Sequence, residues 1–417
     1  MTDDLMKSSG SGDADNSTHA DEQRLYPKVR FRGFDASQEF KNCLLSEVAR
    51  NLDNKRIPIT ANKRKKGKIP YFGSNGIQDY VKGYTHNGTF ILIAEDGANN
   101  LKHYPVIKAT GKIWVNNHAH VLQALDKKID FNYLYFLLFK YNFEKYLVGS
   151  GRYKLNAAVL EKLPIKICNS KNEQIAIGKI LASIDNLLSL QQRKLELENE
   201  LNRFYIGKIF ANNNNYPELR FSSFNNSWEI AKLKEIITHK SGSPIEKYFS
   251  ENGPLKVISI GSYGLDNSYI DQKIRAERNN VTEKYMVQKN DLTMVLNDKT
   301  SDCRILGRVL IINNDNEYVA NQRTEIITPN KTVYPQFLYQ LINGAFRTKI
   351  KKIAQGGTQI YVNFKSVEKL KLSIPEYEEQ KDISKFLGLI KNKLSFEQSN
   401  VTITQQLKQF LLQNLFI

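Results

Sequence analysis

Cysteine is scarce in this chain, with three in 417 residues, at Cys43, Cys168 and Cys303. They stand far apart with no CxxC or HxxxH spacing near them. This argues against a disulfide framework or a zinc site and fits a reducing, cytoplasmic setting. Long apolar runs are missing too. The longest, 131–139, is too short to cross a bilayer, and the start of the chain has no basic segment followed by an apolar one. Neither membrane insertion nor secretion is expected. None of the eleven prolines adjoins another, which removes the Asn/Asp-Pro-Pro-aromatic loop that an adenine-N6 methyltransferase uses to hold a flipped base. The Gly-Lys pairs beginning at Gly67, Gly111, Gly178 and Gly207 are never followed by Ser or Thr, so the phosphate loop of an ATP-driven motor is absent as well. By these exclusions the chain is expected to be noncatalytic, with no cofactor of its own.

What is present in excess is positive charge, a formal +17. The first 24 residues oppose it, with Asp3, Asp4, Asp13, Asp15, Asp21 and Glu22 against Lys7 and Arg24. Residues 171–210 and 376–417 are nearly neutral, so the surplus lies in 25–170 and 211–375. Those segments are rich in Asn, Gln, Ser and Tyr, and their bases are spread through them. That distribution fits a nucleic-acid partner better than a membrane surface.

The chain is also written twice. Tyr26-Pro27-Lys28-Val29-Arg30-Phe31-Arg32-Gly33-Phe34 returns as Tyr216-Pro217-Glu218-Leu219-Arg220-Phe221-Ser222-Ser223-Phe224, at an offset of 190. Asn156 with Glu161-Lys162-Leu163 returns as Asn363 with Glu368-Lys369-Leu370, at 207. Glu173-Gln174, Leu181, Ile184, Leu201, Phe204 and Phe210 return as Glu379-Gln380, Leu387, Ile390, Leu407, Phe410 and Phe416, at 206. Each unit thus runs as an opening motif, a divergent body, a closing motif and a helix. A frame kept alike around unlike bodies suggests one scaffold carrying two specificities.

Apolar residues fall at Ile177, Leu181, Ile184, Leu188 and Leu195, then Leu201 and Phe204. In the second copy they fall at Ile383, Leu387, Ile390, Leu394 and Val401, then Leu407 and Leu411. The spacing is heptad-like, and proline is excluded from both stretches. Two seams of similar length are expected to pack on each other as an antiparallel coiled coil spanning roughly 55–60 Å; packing of each helix on its own domain is the alternative. An antiparallel pair would relate the two bodies by a pseudo-twofold axis and suit a bipartite, asymmetric DNA target with an unread spacer.

At this point the chain resembles the specificity subunits of type I restriction-modification systems, over about residues 25–417. Besides the repeat, the resemblance is carried by Ile69-Pro70-Tyr71-Phe72-Gly73-Ser74-Asn75-Gly76, Ile91-Leu92-Ile93-Ala94-Glu95-Asp96-Gly97-Ala98-Asn99 and Trp114-Val115-Asn116-Asn117-His118-Ala119-His120 in the first unit. Trp228-Glu229 and Gly356-Gly357-Thr358-Gln359 carry it in the second. It implies mixed α/β recognition domains, double-stranded DNA as ligand, two methyltransferase subunits carrying S-adenosylmethionine, and ATP-dependent translocase-endonuclease subunits. The expected organisation is a disordered arm over 1–24, recognition domains over 25–170 and 211–375, and helices over 171–210 and 376–417. A bivalent scaffold for RNA or protein is the competing reading.

The DNA contacts are expected in three places. The basic run Lys63, Arg64, Lys65, Lys66 and Lys68 suits phosphates. Polar loops supply Ser74, Asn75, Asn99, His118 and His120 in the first unit and Asn297, Lys299, Gln322 and Arg323 in the second. The glycine-flanked segments supply Arg152, Tyr153 and Lys154, matched by Thr358, Gln359 and Tyr361; Arg reads guanine and Gln reads adenine in the major groove. His118 and His120 with Glu95 and Asp96 have metal-compatible spacing, but Arg323 and Glu325 stand at the matching second-copy positions, so hydrogen bonding is favoured over a metal. Ile177, Leu181, Ile184, Leu188, Ile383, Leu387, Ile390 and Leu394 are assigned to partner binding.

Overall fold

A computed structural model describes residues 6–8, 26–34, 38–211, 215–300, 302–357 and 359–417. Most of the expected N-terminal arm lies outside the described residues. Within it Met6–Ser8 forms a strand antiparallel to Val29–Phe31, a departure from the disorder expected over 1–24. Among the described residues no other strand pairs with Val29–Phe31, so its backbone groups give the segment something to bond. The chain divides into two compact units, Met1–Arg193 with Ser399–Ile417, and Lys194–Gln398.

In the first unit six strands lie in the order Ala49–Asn51, Ala119–Ala124, His86–Ala94, Val106–Val115, Lys66–Gly73, Gly76–Val81. All pairings are antiparallel except that of Lys66–Gly73 with Val106–Val115. The central strand reads Phe-Ile-Leu-Ile-Ala because both its faces are covered. Ile91 and Ile93 join a core with Tyr133 and Leu134 of helix Phe131–Lys140, while Phe90 and Leu92 face Phe72 and Ile113. Side chains alternating across a strand make that two-sided burial possible.

The second unit has a four-stranded sheet in the order Ile237–Ser241, Thr324–Pro329, Leu292–Val295, Val309–Ile311, and a second four-stranded sheet, Arg275–Ala276, Leu255–Ile258, Tyr318–Ala320, Met286–Val287. The first of these repeats the order of the first four strands in the other unit. What differs is the addition: the hairpin 66–81 in one unit, a separate sheet in the other.

The long helices are Lys171–Ile209 and Tyr377–Asn414. Each is tied at its first turn to the opening motif of its repeat. Arg30 donates through Nε and Nη2 to both carboxylate oxygens of Glu173, at 2.7 and 2.6 Å, and Arg220 does the same to Glu379, at 2.8 and 2.7 Å. Both glutamates are fully buried. The glutamines that follow act alike: Gln174 bonds the Asp130 amide and the Cys168 carbonyl, and Gln380 bonds the Tyr334 amide and the Pro375 carbonyl.

The helices run antiparallel. In the second unit Lys194 meets Glu397 at 2.6 Å, Glu198 meets Lys393 at 3.0 Å, and Tyr205 packs edge-on against Phe386; in the first, Asp185 meets Lys408 at 2.6 Å. The expected alternative, packing of each helix on its own domain, also operates. Ile177, Leu181 and Ile184 sit in one core with Leu134 and Leu411, and Ile383 and Leu387 sit in another with Phe337.

Two assignments are corrected here. Ile177, Leu181, Ile184, Ile383 and Leu387 are buried inside this chain, and Leu188, Ile390 and Leu394 are half-buried. Domain core and paired helix already occupy this face, so it is not the partner surface. Conversely Leu201, Phe204 and Leu407, placed in the seam by their spacing, are exposed by 48%, 54% and 46%.

Arg30→Met strands a carboxylate with 1% exposure without its cation, and should cost about 3–5 kcal/mol in urea unfolding. Arg30→Met with Glu173→Leu should recover most of that loss, because both charges then leave the interior together.

Candidate nucleic-acid interface

The hairpin, the end of the central strand and a glycine-flanked loop meet in the first unit. Asp96 follows strand His86–Ala94, and its Oδ1 accepts from His118 Nδ1 at 2.7 Å and from Arg152 Nη2 at 3.1 Å. Lys154 pairs with Glu95 at 3.0 Å. Asn75 donates to the Gly97 carbonyl and accepts from the Asn99 amide. Gly97 has φ +64°, and a Cβ there would approach Ser74 Oγ to 3.8 Å and Arg152 Nη2 to 3.9 Å. The loop bearing Arg152 turns through Gly149 and Gly151 and closes where Val148 and Lys154 exchange backbone bonds. Arg152 and Tyr153 are exposed, and His118 is exposed by 37%. The structure therefore brings together Asn75, Asn99, His118, Arg152, Tyr153 and Lys154 from the expected set.

In the second unit Asn297, Lys299, Gln322, Arg323 and Gln359 line one cavity of about 650 Å³. Its walls also include Ser259, Gln272, Asn321 and Arg304, which the sequence reading missed. Asn297–Asp298 pairs with Ile360–Tyr361, and Tyr361 is 43% exposed. Thr358 lies outside the described residues. The floor of the cavity is organised by Asp298, whose carboxylate accepts from Thr300 and from the amides of Ile305 and Leu306. Burial alone would raise this carboxyl, but the bonds from Thr300, Ile305 and Leu306 more than offset that and hold it below the ordinary range. Arg347 braces the same loop by donating to the carbonyls of Cys303, Arg304 and Leu306, and burial pushes its guanidinium down to about 10.

Three expected contacts are corrected. His120 is fully buried, with Nδ1 against Asp53 at 2.5 Å and Nε2 against the Leu155 carbonyl at 2.7 Å, so both ring nitrogens are committed to the interior. Arg64 is drawn inward: its guanidinium lies 4.2 Å from the Tyr71 ring centroid and bonds the Ile59 carbonyl. Ser74 is buried and accepts from Asn75, a support for that side chain. Lys63, Lys65, Lys66 and Lys68 are exposed. Lys63 and Lys65 precede strand Lys66–Gly73, and Lys66 and Lys68 lie within its first three residues, whereas Asn75 follows its end, a separation of roughly 20 Å along the strand.

Asp53, Glu95 and His120 approach closely enough to share a metal ion. The two carboxylates already face cations, Arg56 at 3.3 and 2.6 Å and Lys154. The donor set is thereby neutralised by protein groups and does not call for an ion.

Comparisons with known proteins identify the family. A family model described as the type I restriction modification DNA specificity domain matches residues 38–199 and 225–409. A Haemophilus influenzae protein assigned as a type I restriction enzyme specificity subunit is 32% identical over 356 residues, covering 82% of this chain and 85% of that one. The MjaVIII type I restriction enzyme specificity subunit of Methanocaldococcus jannaschii is 22% identical over 398 residues, covering 90% and 92%. In fold, the chain is similar to the S subunit of a type I restriction-modification system from M. genitalium, with a TM-score of 0.64, 18% identity and coverage of 94% and 99%. The chain belongs to the type I restriction-modification specificity subunits, the noncatalytic class that selects the DNA sequence. Among the described residues no helix is long and apolar enough to cross a membrane.

His120→Ala should lower the stability of the first unit by about 1–3 kcal/mol, because it leaves Asp53 and the Leu155 carbonyl short of a partner. DNA affinity of the folded protein and its salt dependence should be unchanged, as read by filter binding across ionic strengths. A pH effect follows from the same cluster. Burial alone would raise both carboxyls, but His120 holds Asp53, and Arg56 with Lys154 hold Glu95, below their ordinary ranges. Their folded values lie below the unfolded ones, so this stabilisation is complete above about pH 4–5 and fades as pH falls through the depressed values. Acid unfolding followed by near-ultraviolet circular dichroism should show that loss shifted or removed in Asp53→Asn.

Proposed function

We propose that this specificity subunit reads a bipartite, asymmetric duplex DNA target, one half-site to each recognition domain, and carries two methyltransferase subunits on its long helices. The observation that carries this reading is a duplicated apolar surface. Leu197, Leu201 and Phe204 are exposed in the second unit; Ile403, Leu407 and Phe410, their counterparts at the repeat offset of 206, are exposed in the first. Both triples follow i, i+4, i+7 spacing, which sets three large side chains on one helical face as anchors for a groove. Among the described residues the buried seam is satisfied within the chain, and this second stripe is not. Two equivalent patches on one chain fit two copies of one partner.

The methyltransferase subunits would supply S-adenosylmethionine and adenine methylation, and ATP-dependent translocase-endonuclease subunits would complete the assembly in the cytoplasm. Asn75, Asn99, His118, Arg152, Tyr153 and Lys154 serve one half-site. Asn297, Lys299, Gln322, Arg323, Gln359 and Tyr361 serve the other, with Lys63, Lys65, Lys66 and Lys68 on phosphates. Unlike chemistry in the two sets supports the asymmetry of the target.

Native mass spectrometry of the co-expressed complex tests the stoichiometry. The unaltered chain should carry two methyltransferase subunits, Leu201→Glu or Leu407→Glu one, and the double variant none. Both side chains are exposed, so the chain alone should unfold within about 0.5 kcal/mol of the parent. A single bound copy in the parent, or two in the double variant, overturns the assignment. Competition between duplex DNA and RNA for the complex should favour DNA.

A further inference from the structure

The two reading sites can be aligned through backbone bonds, without reference to side chains. In the first unit the Glu95 amide bonds the His118 carbonyl and the Leu155 amide bonds the Glu95 carbonyl; in the second, the Leu296 amide bonds the Arg323 carbonyl and the Val362 amide bonds the Leu296 carbonyl. Paired exchanges between Val148 and Lys154 are likewise matched by those between Gln355 and Tyr361. Glu95 is therefore the counterpart of Leu296, Asp96 of Asn297, His118 of Arg323, and Arg152 of Gln359.

From this alignment we infer that positions 96, 118 and 152, with their counterparts 297, 323 and 359, form the specificity-determining set of each recognition domain, and that Asp96 is a positioning residue that aims Arg152. The inference rests on the DNA-reading function proposed above and names the residues that perform it. A carboxylate on a DNA-facing surface repels phosphate, so its presence needs a compensating role. The Asp96 carboxylate supplies one by accepting from both His118 and Arg152. Arg152 is 66% exposed, and an ion pair at such exposure adds little to the stability of the fold. Its effect is on where the guanidinium points. A guanidinium held before binding gives up less rotamer freedom when it meets a base edge. In the second unit the set is Asn297, Arg323 and Gln359, all lining one cavity. There the carboxylate is replaced by an amide, and Arg323 holds φ +65°, a conformation uncommon outside glycine and concentrated at functional sites.

The same strand-end frame thus presents acid, imidazole and guanidinium in one unit and amide, guanidinium and amide in the other. Arg at position 152 suits a guanine edge, and Gln at 359 an adenine edge.

The test is long-read mapping of methylated adenines in cells carrying the full chain with its partner subunits. Asp96→Asn and Arg152→Gln should each relax the first half-site at one base position, by on the order of 10-fold in discrimination, and leave the second half-site unchanged. Gln359→Ala should do the reverse. Thermal midpoints and methyltransferase stoichiometry should match the parent, which a merely structural role for Asp96 would not allow. Arg152→Gln changes an exposed side chain and so remains informative if Asp96→Asn lowers stability. A bipartite motif unaltered by both Asp96→Asn and Arg152→Gln overturns the inference while leaving the proposed function standing. Absence of any chain-dependent bipartite motif overturns the proposed function itself.

Discussion

Two guanidinium–carboxylate pairs with buried carboxylates, Arg30 with Glu173 and Arg220 with Glu379, join the opening motif of each repeat to the first turn of its long helix. Their contribution is better understood as geometry than as stability. Desolvating both ions consumes most of what their attraction returns, and apolar replacements of similar volume often serve a fold as well. A bidentate contact has only one satisfactory arrangement, however, and fixes both the rotation and the depth of the helix against its domain. Gln174 and Gln380 extend the lock by satisfying the carbonyls just before each helix and the amide at the start of a second one.

From that fixed helix the structure builds outward to the reading loops through apolar contacts. Ile177, Leu181 and Ile184 pack with Tyr133 and Leu134, which pack with Ile91 and Ile93 of the central strand; Asp96 lies two residues beyond that strand's end. The second unit repeats the path through Ile383, Phe337, Leu292 and Met294 to Asn297. Side chains at the loop positions differ between the units while the backbone bonds that hold the loops do not. A frame of this kind lets the residues that face a ligand change without reopening the core, since the supporting bonds are made by main-chain atoms that every residue supplies.

Much of this was legible in the sequence. The repeat located both opening motifs, both helices and the counterparts Arg152 and Gln359, because framing residues are constrained identically in both copies. What escaped was the direction of side chains. His120 looked like His118 two residues away, and only the sheet decides that one faces Asp96 at the surface and the other Asp53 in the interior. Arg64 belonged to a basic run until the ring of Tyr71 gave it an inward seat. The helices misled for another reason. Each carries two apolar stripes, and a period near 3.5 describes both, so Leu201 and Phe204 could be threaded onto the buried seam although they belong to the exposed one. Periodicity finds a face but does not say what covers it.

The placement of charge completes the argument. At the proposed first reading site the cations are largely answered: Arg152 by Asp96, which also accepts from His118, and Lys154 and Arg56 by Glu95. The exposed lysines Lys63, Lys65, Lys66 and Lys68 form a separate group around the other end of the hairpin strand. Unspecific attraction to phosphate grows with the number of backbone charges neutralised, whereas sequence is read by groups with fixed direction. A site crowded with unpaired lysines would bind any duplex tightly and gain little by distinguishing bases. On the proposed reading, balancing the charge where bases would be met, and concentrating it elsewhere, separates the surface that would hold DNA from the surface that would select it.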